Sequence, residues 1–414
     1  MTSTFDSHAA SSAGAFLESA AHARGVPGSS GLLVFGGGFT TFGAATHGYI
    51  AVYDEASGSY GDNSIWGADI GVRSSMGVPR KVAVYQNTVY VGAGDGSIWR
   101  CNKPGWTQVI VGPGSGNPVL DMCVWQGYLV IARQHQALRL WDGASETMME
   151  DAANYPEGLP SCESLGVVTV GGVERLAFLW CLDLSPDFDW QPGYTDDGST
   201  WTYGTRLISA GGSTSDNARR WCESSGEFYF IRDFEYAVSG SSGTNKMGQC
   251  KAYDPTTNTL ATWQKPNPPG QSTRLPTFNI TSSPLYNASL ATVGGTAVVI
   301  GEQTQFSPTN VTFTACDRSV KLVPSTFGGT GDAVSSVGGF LSIAATIFEA
   351  GGDRIFVGPA DHSTAAVVTQ NGGGTISGGA SLRLATFDGA TWEAWPDQPN
   401  GGVWSVTRAA SLTI

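Results

Sequence analysis

A repeated hairpin pattern constrains the fold of this chain more than any other feature. An apolar run, a tight turn of Gly or polar residues and a second apolar run recur six times along the 414 residues. Short turns between apolar runs are typical of β-hairpins. The sequence therefore predicts six hairpins. Their turns are centred near Gln86, Gln126, Gly171, Ser225, Gly294 and Gly351.

A second pair of short runs follows each hairpin and encloses an Asp or Gly turn. Examples are LRLWDGAS from Leu138 and KAYDPTTNTLATW from Lys251. Each repeat unit thus contains four predicted strands, which we call a, b, c and d. The units recur about every 40 to 70 residues, a spacing that is typical of propeller blades.

A seventh unit is divided between the two ends of the chain. RAASLTI at 408–414 predicts a lone strand a, and GLLVFGGG from Gly31 predicts strand b. GYIAVYDEASGSY from Gly48 supplies strands c and d. Pairing of the two ends would close a ring of sheets and leave no open outer edge. The sequence therefore predicts an all-β chain with a seven-bladed β-propeller over residues 31–414.

Two short motifs carry a resemblance to known propeller families. VFGGG at 34–38 and AYDPTTNTLATW at 252–263 resemble kelch repeats. DDGSTW at 196–201, and less closely DGATW at 388–392, resemble the Asp-box of sialidase-like propellers. In such boxes the Asp caps a turn and the Trp packs between blades. Both resemblances imply the architecture and carry no chemistry.

Composition excludes several classes of partner. The net charge of −13 argues against binding to nucleic acid or to an anionic membrane, since both kinds of binding require Lys and Arg. Seven cysteines without a CxxC pair are typical of buried free thiols. No metal-ligand spacing, phosphate loop or nucleophile elbow occurs, so we expect no metal and no cofactor.

The N-terminus lacks a basic segment before an apolar core, and no run could span a membrane. We expect synthesis in the cytoplasm.

Loop lengths predict which face of a propeller would bind a ligand. The a–b and c–d turns are short, whereas the predicted b–c and d–a connections are long and varied, for example 61–78, 181–193 and 234–248. Long connections on a rigid scaffold are where binding residues concentrate. We therefore assign the working face to the b–c and d–a connections.

The predicted connection between Cys181 and Tyr194 is the richest in candidate ligand-binding residues. The candidates are Trp180, Asp183, Asp187, Asp189, Trp190 and Tyr194. Aromatic rings beside carboxylates suit sugar rings, and they also suit a protein partner. Two alternatives stay open: the aromatic side chains pack the loop against the sheet, or Asp187 and Asp189 bind calcium, although the usual calcium-loop spacing is absent.

Residues 1–30 form a separate N-terminal extension. SSAGAFLESAAHARG predicts one short helix, capped by Ser12 and ended by Gly25. Phe16 and Leu17 lie on its apolar stripe and are candidate partner-binding residues. About three turns of helix are not stable alone, so the helix must dock on its own propeller or on a neighbouring subunit.

These features favour a non-enzymatic propeller that binds or scaffolds other protein subunits of an assembly, such as a bacteriophage tail or another virion component. A carbohydrate-binding or glycoside-cleaving propeller, resembling sialidases, is the alternative. Cleavage of glycosides needs two carboxylates at a set separation. A kelch-type protein adaptor is the third class, although no partner domain such as BTB or F-box is attached.

Overall fold

The fold is described by a computed structural model. Up to residue 262 it describes residues 31–42, 45–62, 66–67, 70–77, 79–114, 116–149, 161–184, 187–207, 222–224, 226–237 and 244–262. Beyond residue 262 it describes the short strands given below and Trp395. The predicted N-terminal helix, with Phe16 and Leu17, lies outside the described residues. Among the described residues, no helix has the length and apolar character that a membrane span requires.

Antiparallel sheets make up nearly all of the described structure. Seven of them contain a path of four strands, and we number these sheets I to VII along the chain. Sheet I consists of β1 (Leu32–Gly37), β4 (Ile50–Asp54), β5 (Ser59–Tyr60) and β33 (Val403–Ala409), with the small hairpin β2 (Thr41–Phe42) and β3 (Ala45–Thr46) between β1 and β4. Helix α1 (Ile70–Met76) follows, and then sheet II with β6 (Pro79–Tyr85), β7 (Thr88–Ala93), β8 (Ile98–Cys101) and β9 (Trp106–Ile110).

The middle of the chain forms three further sheets. Sheet III consists of β10 (Val119–Trp125), β11 (Tyr128–Arg133), β12 (Arg139–Trp141) and β13 (Glu146–Met148). Sheet IV consists of β14 (Ser161–Val170), β15 (Val173–Leu184), β16 (Asp187–Thr195) and β17 (Trp201–Tyr203). Sheet V consists of β18 (Cys222–Ser224), β19 (Glu227–Ala237), β20 (Thr244–Asp254) and β21 (Thr259–Thr262), with β22 (Asn279–Ile280) beside β20.

The last third of the chain adds two sheets of the same kind. Sheet VI consists of β23 (Ala288–Val293), β24 (Thr296–Gly301), β25 (Ser319–Leu322) and β26 (Asp332–Ala333). Sheet VII consists of β28 (Ala345–Glu349), β29 (Ile355–Pro359), β31 (Ala385–Phe387) and β32 (Trp392–Ala394). A separate pair is formed by β27 (Gly339–Leu341) and β30 (Val368–Gln370).

The two ends of the chain meet in sheet I. Strand β33 pairs antiparallel with β1, with Leu32 opposite Ala409 and Gly36 opposite Ser405. The C-terminal strand therefore begins at Val403, five residues before the predicted start at Arg408, and residues 410–414 lie outside the described residues. The alternation of apolar and polar residues in ASLTI at 410–414 favoured the later bounds, but the pairing with β1 starts earlier in the chain.

The tight turns of the a–b hairpins lie where the sequence predicts them. In sheet II the turn residues Gln86 and Asn87 have φ of 49° and 55°. In sheet III Gln126 and Gly127 have φ of 48° and 80°. Positive φ at both central residues is the geometry that matches the twist of two-residue hairpins. The polar and Gly turns of the repeat thus fix the register of each hairpin.

Two connections that the sequence assigns to long loops are strands instead. The pairing of β15 with β16 continues to Leu184 opposite Asp187, so most of 181–193 is a long hairpin. The pairing of β19 with β20 likewise continues to Ala237 opposite Thr244. The b–c connections of sheets II and III are short, at 94–97 and 134–138. Asp, Pro and Gly in these segments predicted loops, but ladder hydrogen bonds override such propensities.

Each of the described sheets II to IV buries both faces against its neighbours. In β15 the side chains of Leu176, Phe178 and Trp180 pack toward sheet III. The alternating side chains of Ala177, Leu179 and Cys181 pack toward sheet V. Strands that are buried on both faces read as continuous apolar runs, which is why the hairpin pattern is so clear in the sequence.

Glycines allow the sheets to approach closely. A Cβ on Gly92 in sheet II would lie 2.5 Å from the Val119 side chain of sheet III. A Cβ on Gly166 in sheet IV would lie 2.2 Å from the Phe228 ring of sheet V. Real Cβ atoms cannot be so close, so these positions require Gly. Part of the high Gly content is therefore a packing requirement in addition to turn formation.

Capping by Asp is shared by the c–d turns of sheets III, IV and V. Asp197 accepts hydrogen bonds from the backbone N–H groups of Ser199 and Thr200, at 2.8 Å and 2.6 Å. Asp142 and Asp254 make the equivalent bonds in sheets III and V. The backbone donors hold the pKa of the Asp197 carboxyl well below its usual range. The ring of Trp201 packs 5.1 Å from that of Phe178, so DDGSTW acts structurally.

One side chain near each a–b turn reaches across to the next sheet. Gln86 donates to the carbonyl of Asp142 at 3.4 Å, and Gln126 donates to the carbonyl of Asp196 at 2.7 Å. In sheet IV the turn has no Gln, and Arg175 donates to the carbonyl of Pro255 in sheet V. All three carbonyls belong to c–d turns. The same kind of contact therefore recurs between sheets II and III, III and IV, and IV and V.

Replacement of Gln126 tests these contacts. Asn tolerates positive φ but is too short to reach the carbonyls of Glu174 and Asp196. Gln126→Asn should lower the free energy of unfolding by about 1–2 kcal/mol in urea titrations, because two modest hydrogen bonds are lost. Gln108→Asn, on the exposed strand β9, is the matched control and should change it by under about 0.5 kcal/mol. Equal losses in both variants would contradict the inter-sheet role.

Candidate functional site

The first strands of sheets I to IV share an irregularity near their start. The pairing with the following strand skips one residue as a β-bulge, which is the second residue of β6 (Arg80) and of β10 (Leu120) and the third residue of β14 (Glu163). In sheet I, β33 skips Trp404 in the same way. Bulges turn side chains out of the regular alternation and are frequent beside binding sites. A recurrent bulge therefore marks a common end of four sheets.

This common end lies on the face of the b–c connections. Pro79 pairs with Ala93 and Val119 with Arg133, the last residues of β7 and β11 before the b–c connections begin. The side chains of Arg80, Leu120 and Glu163 are half-buried there. We call these three residues the bulge row. The bulge row thus places an Arg, a Leu and a Glu at equivalent positions of successive sheets.

A buried ion pair lies directly behind the bulge row. Lys81 Nζ contacts Asp121 Oδ1, and the side chains of both residues are only 6% exposed. Asp121 Oδ2 also accepts the backbone N–H of Leu165 at 2.8 Å. The backbone N–H of Met122 donates to Asp121 Oδ1 at 2.9 Å. One carboxylate thus joins the first strands of sheets II, III and IV.

The backbone N–H of Leu165 belongs to an open strand edge. Among the described strands, β14 pairs with β15 alone, so its N–H groups on the other edge have no ladder partner in the described part of the chain. The carboxylate of Asp121 takes the place of that partner. Buried backbone donors left without an acceptor are costly, and a buried carboxylate needs several donors and a cation. Here the Leu165 N–H gains an acceptor and the Asp121 carboxylate gains a donor.

Two thiols beside Asp121 remain protonated. Burial raises the pKa of the Cys123 thiol, and the nearby Asp121 carboxylate raises it further. Burial likewise raises the pKa of Cys162 well above its ordinary value, with Asp121 and Glu163 adding to it. Neutral thiols are poor nucleophiles and poor metal ligands. In the described part of the chain, no three His, Cys, Asp or Glu side chains converge as metal ligands would.

The short b–c connections of sheets II and III are held rigidly around this end. The buried side chain of Arg133 donates from Nε to the carbonyl of Gly96 at 2.8 Å and from Nη1 to Glu146 at 2.7 Å. The backbone N–H of His135 donates to Ser161 Oγ at 3.0 Å. These bonds connect sheet II with III and sheet III with IV. The ends of the strands that carry the bulge row are therefore held in place by these hydrogen bonds.

The residues predicted from the Cys181–Tyr194 segment do not form one open loop. Trp180 and Trp190 are 0% and 1% exposed, and both pack in the cores beside sheet IV. Neither ring can offer a face to a ligand in this structure, which corrects the expectation of an aromatic platform. The cause is the long β15–β16 hairpin, which places both Trp residues in its paired, buried section.

The polar members of that segment are separated from one another. Asp189 is buried and accepts from Arg206 Nε at 2.6 Å. Tyr194 lies four residues along β16 from Trp190, about 13 Å away, under the guanidinium of Arg175 at 3.7 Å. Asp183 and Asp187 lie near the end of the hairpin, where Asp183 is opposite Phe188 and Asp187 is opposite Leu184. A ligand role for these two carboxylates stays a prediction.

The Lys81–Asp121 pair was missed in the sequence, although a signal was present. Lys81 and Asp121 each stand five residues before the turn glutamines Gln86 and Gln126. A charged residue at the same offset in two copies of an apolar strand indicates a shared position in the fold. Aligning the repeat units on their turns would have revealed that a cation and an anion occupy equivalent sites in adjacent units.

Comparison with known proteins adds little to this geometry. No protein-family model matches the chain, and no curated protein matches it. Solved structures with a similar arrangement include the computationally designed Ika8 protein, with 11% identity and a TM-score of 0.41 over 79% of this chain and 89% of that one. The fucose-recognising six-bladed β-propeller lectin of Aleuria aurantia has 11% identity and a TM-score of 0.35 over 78% and 95%. A Bombyx mori GH32 β-fructofuranosidase has 11% identity and a TM-score of 0.32 over 78% and 86%.

The described geometry therefore defines only a class of protein. The chain is an all-β protein built from repeated four-stranded antiparallel sheets that pack face to face. Likenesses at such low TM-scores say nothing about what it binds.

Charge deletion at the buried pair tests how the inner strands are joined. Lys81→Met leaves the Asp121 carboxylate buried without its cation and should lower the free energy of unfolding by about 3–5 kcal/mol. Lys81→Met combined with Asp121→Asn should recover more than half of that loss, because a neutral amide oxygen still accepts from Leu165. Urea titration of both single variants and the double variant gives the coupling. Additive losses would show that the two side chains do not depend on each other.

Proposed function

We propose that the seven sheets form a closed seven-bladed β-propeller that acts as a binding and scaffolding module. Successive sheets from I to V share apolar cores. Strand β23 of sheet VI contacts β18 and β19 of sheet V, and β28 of sheet VII contacts β23. Strand β28 also contacts β33 of sheet I. Each sheet therefore has a neighbour on both sides, which supports a ring.

The contact between Trp395 and sheet I gives the strongest support for closure. Trp395 directly follows β32, the last strand of sheet VII, and is buried. Its indole N–H donates to the hydroxyl of Tyr60 at 2.9 Å. Its ring lies 5.9 Å from that of Phe35 and 5.1 Å from that of Tyr53. A side chain of the last sheet thus completes the aromatic core of the first.

A pair of introduced cysteines tests closure in solution. Leu32 and Ala409 are register partners of β1 and β33, so L32C with A409C should form a disulfide on mild oxidation. Mass spectrometry after proteolysis would detect the crosslinked peptide. The matched control is L32C with R408C, one residue out of register, which should crosslink far less because adjacent residues of a strand point to opposite faces. Equal crosslinking in both variants would overturn the proposed register and closure.

We assign the binding surface to the face of the b–c and d–a connections. The bulge row carries this proposal, because the same irregularity on successive inner strands brings Arg80, Leu120 and Glu163 to one rim. Behind it, Lys81 and Asp121 are engaged with each other. A rim of mixed charge around an apolar side chain is typical of surfaces that bind proteins. Non-covalent binding fits this arrangement better than catalysis.

Other protein subunits of an assembly are the proposed partners, and a virion component such as a phage tail protein is the proposed setting. Charged residues make up only 14% of the chain, which favours a surface that is partly covered. A kelch-type adaptor would use the same kind of protein contact. The turn at Asp254–Asn258 that resembles a kelch repeat supports a structural role, since Asp254 and Tyr253 bond within the turn.

Sugar binding at the end of the β15–β16 hairpin is the second candidate function. The observation that favours it is the register, which sets a carboxylate residue, Asp183, opposite an aromatic residue, Phe188. Carboxylates that accept from hydroxyls and an aromatic ring that stacks on CH groups are the usual elements of a sugar site.

Binding assays with matched variants separate these proposals. The full chain and R80A/E163A would be compared for partners that co-purify from its native source, with T107A/Q108A on exposed β9 as control. The amount of partner subunit that co-purifies with R80A/E163A should fall about tenfold or more, as expected when charged contacts at the centre of an interface are removed. The control should retain the partner; loss of the partner in the control alone would place the interface on the outer strands.

On a glycan array, D183N/D187N should abolish any sugar signal if the hairpin end binds sugar.

A further inference from the structure

Two arginines of sheet III project into the cleft between sheets II and III. Along β11 and β12 the side chains of Ala132 and Leu138 pack toward sheet IV. Their neighbours in the chain, Arg133 and Arg139, point to the opposite face, because successive side chains of a strand alternate. The hydrogen bond from Arg133 Nε to the carbonyl of Gly96 shows that this face meets sheet II.

Arg100 projects into the same cleft from the other side. Its neighbours Trp99 and Cys101 pack toward sheet I, so Arg100 lies on the face of β8 that is turned toward sheet III. Three guanidinium groups thus share one cleft in a chain whose net charge is −13. Among the described residues, Glu146 is the carboxylate that these arginines bind, and it pairs with Arg133 at 2.7 Å.

Buried N–H groups on this face of sheet III lack an acceptor in the described part of the chain. The Arg133 side chain is only 2% exposed, and its Nη2 has no hydrogen-bond partner there. The Nε of Arg139 and the Nε1 of Trp141 are likewise buried and without a partner among the described residues. Buried donors without an acceptor are destabilising, so a cluster of them indicates a place where an acceptor binds.

The strand register brings these donors within reach of one ligand. Arg139 is opposite Ile131, and Arg133 stands two residues further along β11, so the two arginines are diagonal neighbours about 7–8 Å apart. Trp141 lies two residues from Arg139 on the same face, about 7 Å along β12. Arg100 and Arg139 are half-buried, so solvent reaches this part of the cleft.

An anion with several oxygen atoms fits these donors. Arg presents its N–H groups as a planar fork that matches the oxygens of phosphate and carboxylate groups. The donors here come from two facing sheets. A tetrahedral phosphate directs its oxygens toward both sheets, whereas a carboxylate has two oxygens in one plane, so phosphate is the better match.

We propose that the cleft between sheets II and III binds a phosphate group, held by Arg100, Arg133 and Arg139 with the Trp141 indole N–H as a further donor. The bound group joins the outer strands of the two sheets. Its binding requires neither a partner at the bulge row nor closure of the ring.

Isothermal titration calorimetry of the full chain with inorganic phosphate tests the proposal, with sodium chloride at equal ionic strength as the reference. Phosphate should bind at one site. Arg139→Gln should weaken its affinity about tenfold, because charge-assisted hydrogen bonds are lost. Arg139→Lys keeps the charge without the planar fork and should weaken it by less. Arg73→Gln is the matched control and should keep the affinity, since Arg73 lies in α1 over the Tyr49 ring.

Replacement of Glu146 should act in the opposite direction. Glu146→Gln removes a negative charge beside the bound group and releases Arg133, so the affinity for phosphate should rise about threefold. Heat of binding that chloride reproduces, or an affinity that Arg139→Gln leaves unchanged, would overturn the proposal.

Stability in urea separates loss of the site from loss of the fold. The Arg139 side chain makes no hydrogen bond or ion pair with the described residues, so Arg139→Gln without phosphate should unfold at the same urea concentration as the unaltered chain or at a higher one. Phosphate should raise the midpoint of the unaltered chain and leave that of Arg139→Gln unchanged. An equal rise in both would contradict binding at this cleft.

Discussion

Face-to-face packing of neighbouring sheets is the interaction on which the rest of this structure depends. A four-stranded sheet such as β14 to β17 has too few strands to bury its own apolar side chains and must pack on other sheets. Sheet IV does so on both sides, with Phe178 in one core and Leu179 in the next. The close approach that Gly166 permits to Phe228 strengthens this packing, since dispersion falls off within an ångström of optimal contact.

Hydrogen bonds between the turns of neighbouring sheets add directional contacts to this packing. Apolar surfaces are not directional, so a core alone would allow one sheet to slide or turn on the next. The hydrogen bonds from Gln86, Gln126 and Arg175 to c–d turn carbonyls are directional. The donor stands at or near the a–b turn at the junctions of II with III, III with IV and IV with V, so each of these three junctions has a directional bond in addition to its apolar core. Between sheets VII and I the directional contact is the hydrogen bond from the Trp395 indole N–H to the Tyr60 hydroxyl.

The sequence predicted those features that depend on local patterns. The hairpin turns at Gln86 and Gln126 follow from short-range turn chemistry, and the pairing of β33 with β1 follows from a repeat unit that is divided between the ends. It failed where long-range pairing decides the outcome. Asp183 and Asp189 stand in a segment with the composition of a loop, yet they belong to ladder pairs of β15 and β16. Burial of Trp190 could not be inferred either, because it depends on the segment around Leu207 that bonds back to it.

The two faces of the sheets meet different physical demands, and this explains where variation is tolerated. On the a–b side, turns of neighbouring sheets are bonded to one another, as Tyr85 is to the carbonyl of Gly127, so an insertion would break contacts in two sheets. On the b–c side the inner edges are satisfied by the side chain of Asp121, which bonds to backbone rather than to a particular loop. Connections on that side range from the four residues at 94–97 to the extended hairpins of sheets IV and V. The b–c side is therefore where the described sheets differ most in the length of their connections, whereas the a–b turns of sheets II to V each keep two residues between their strands.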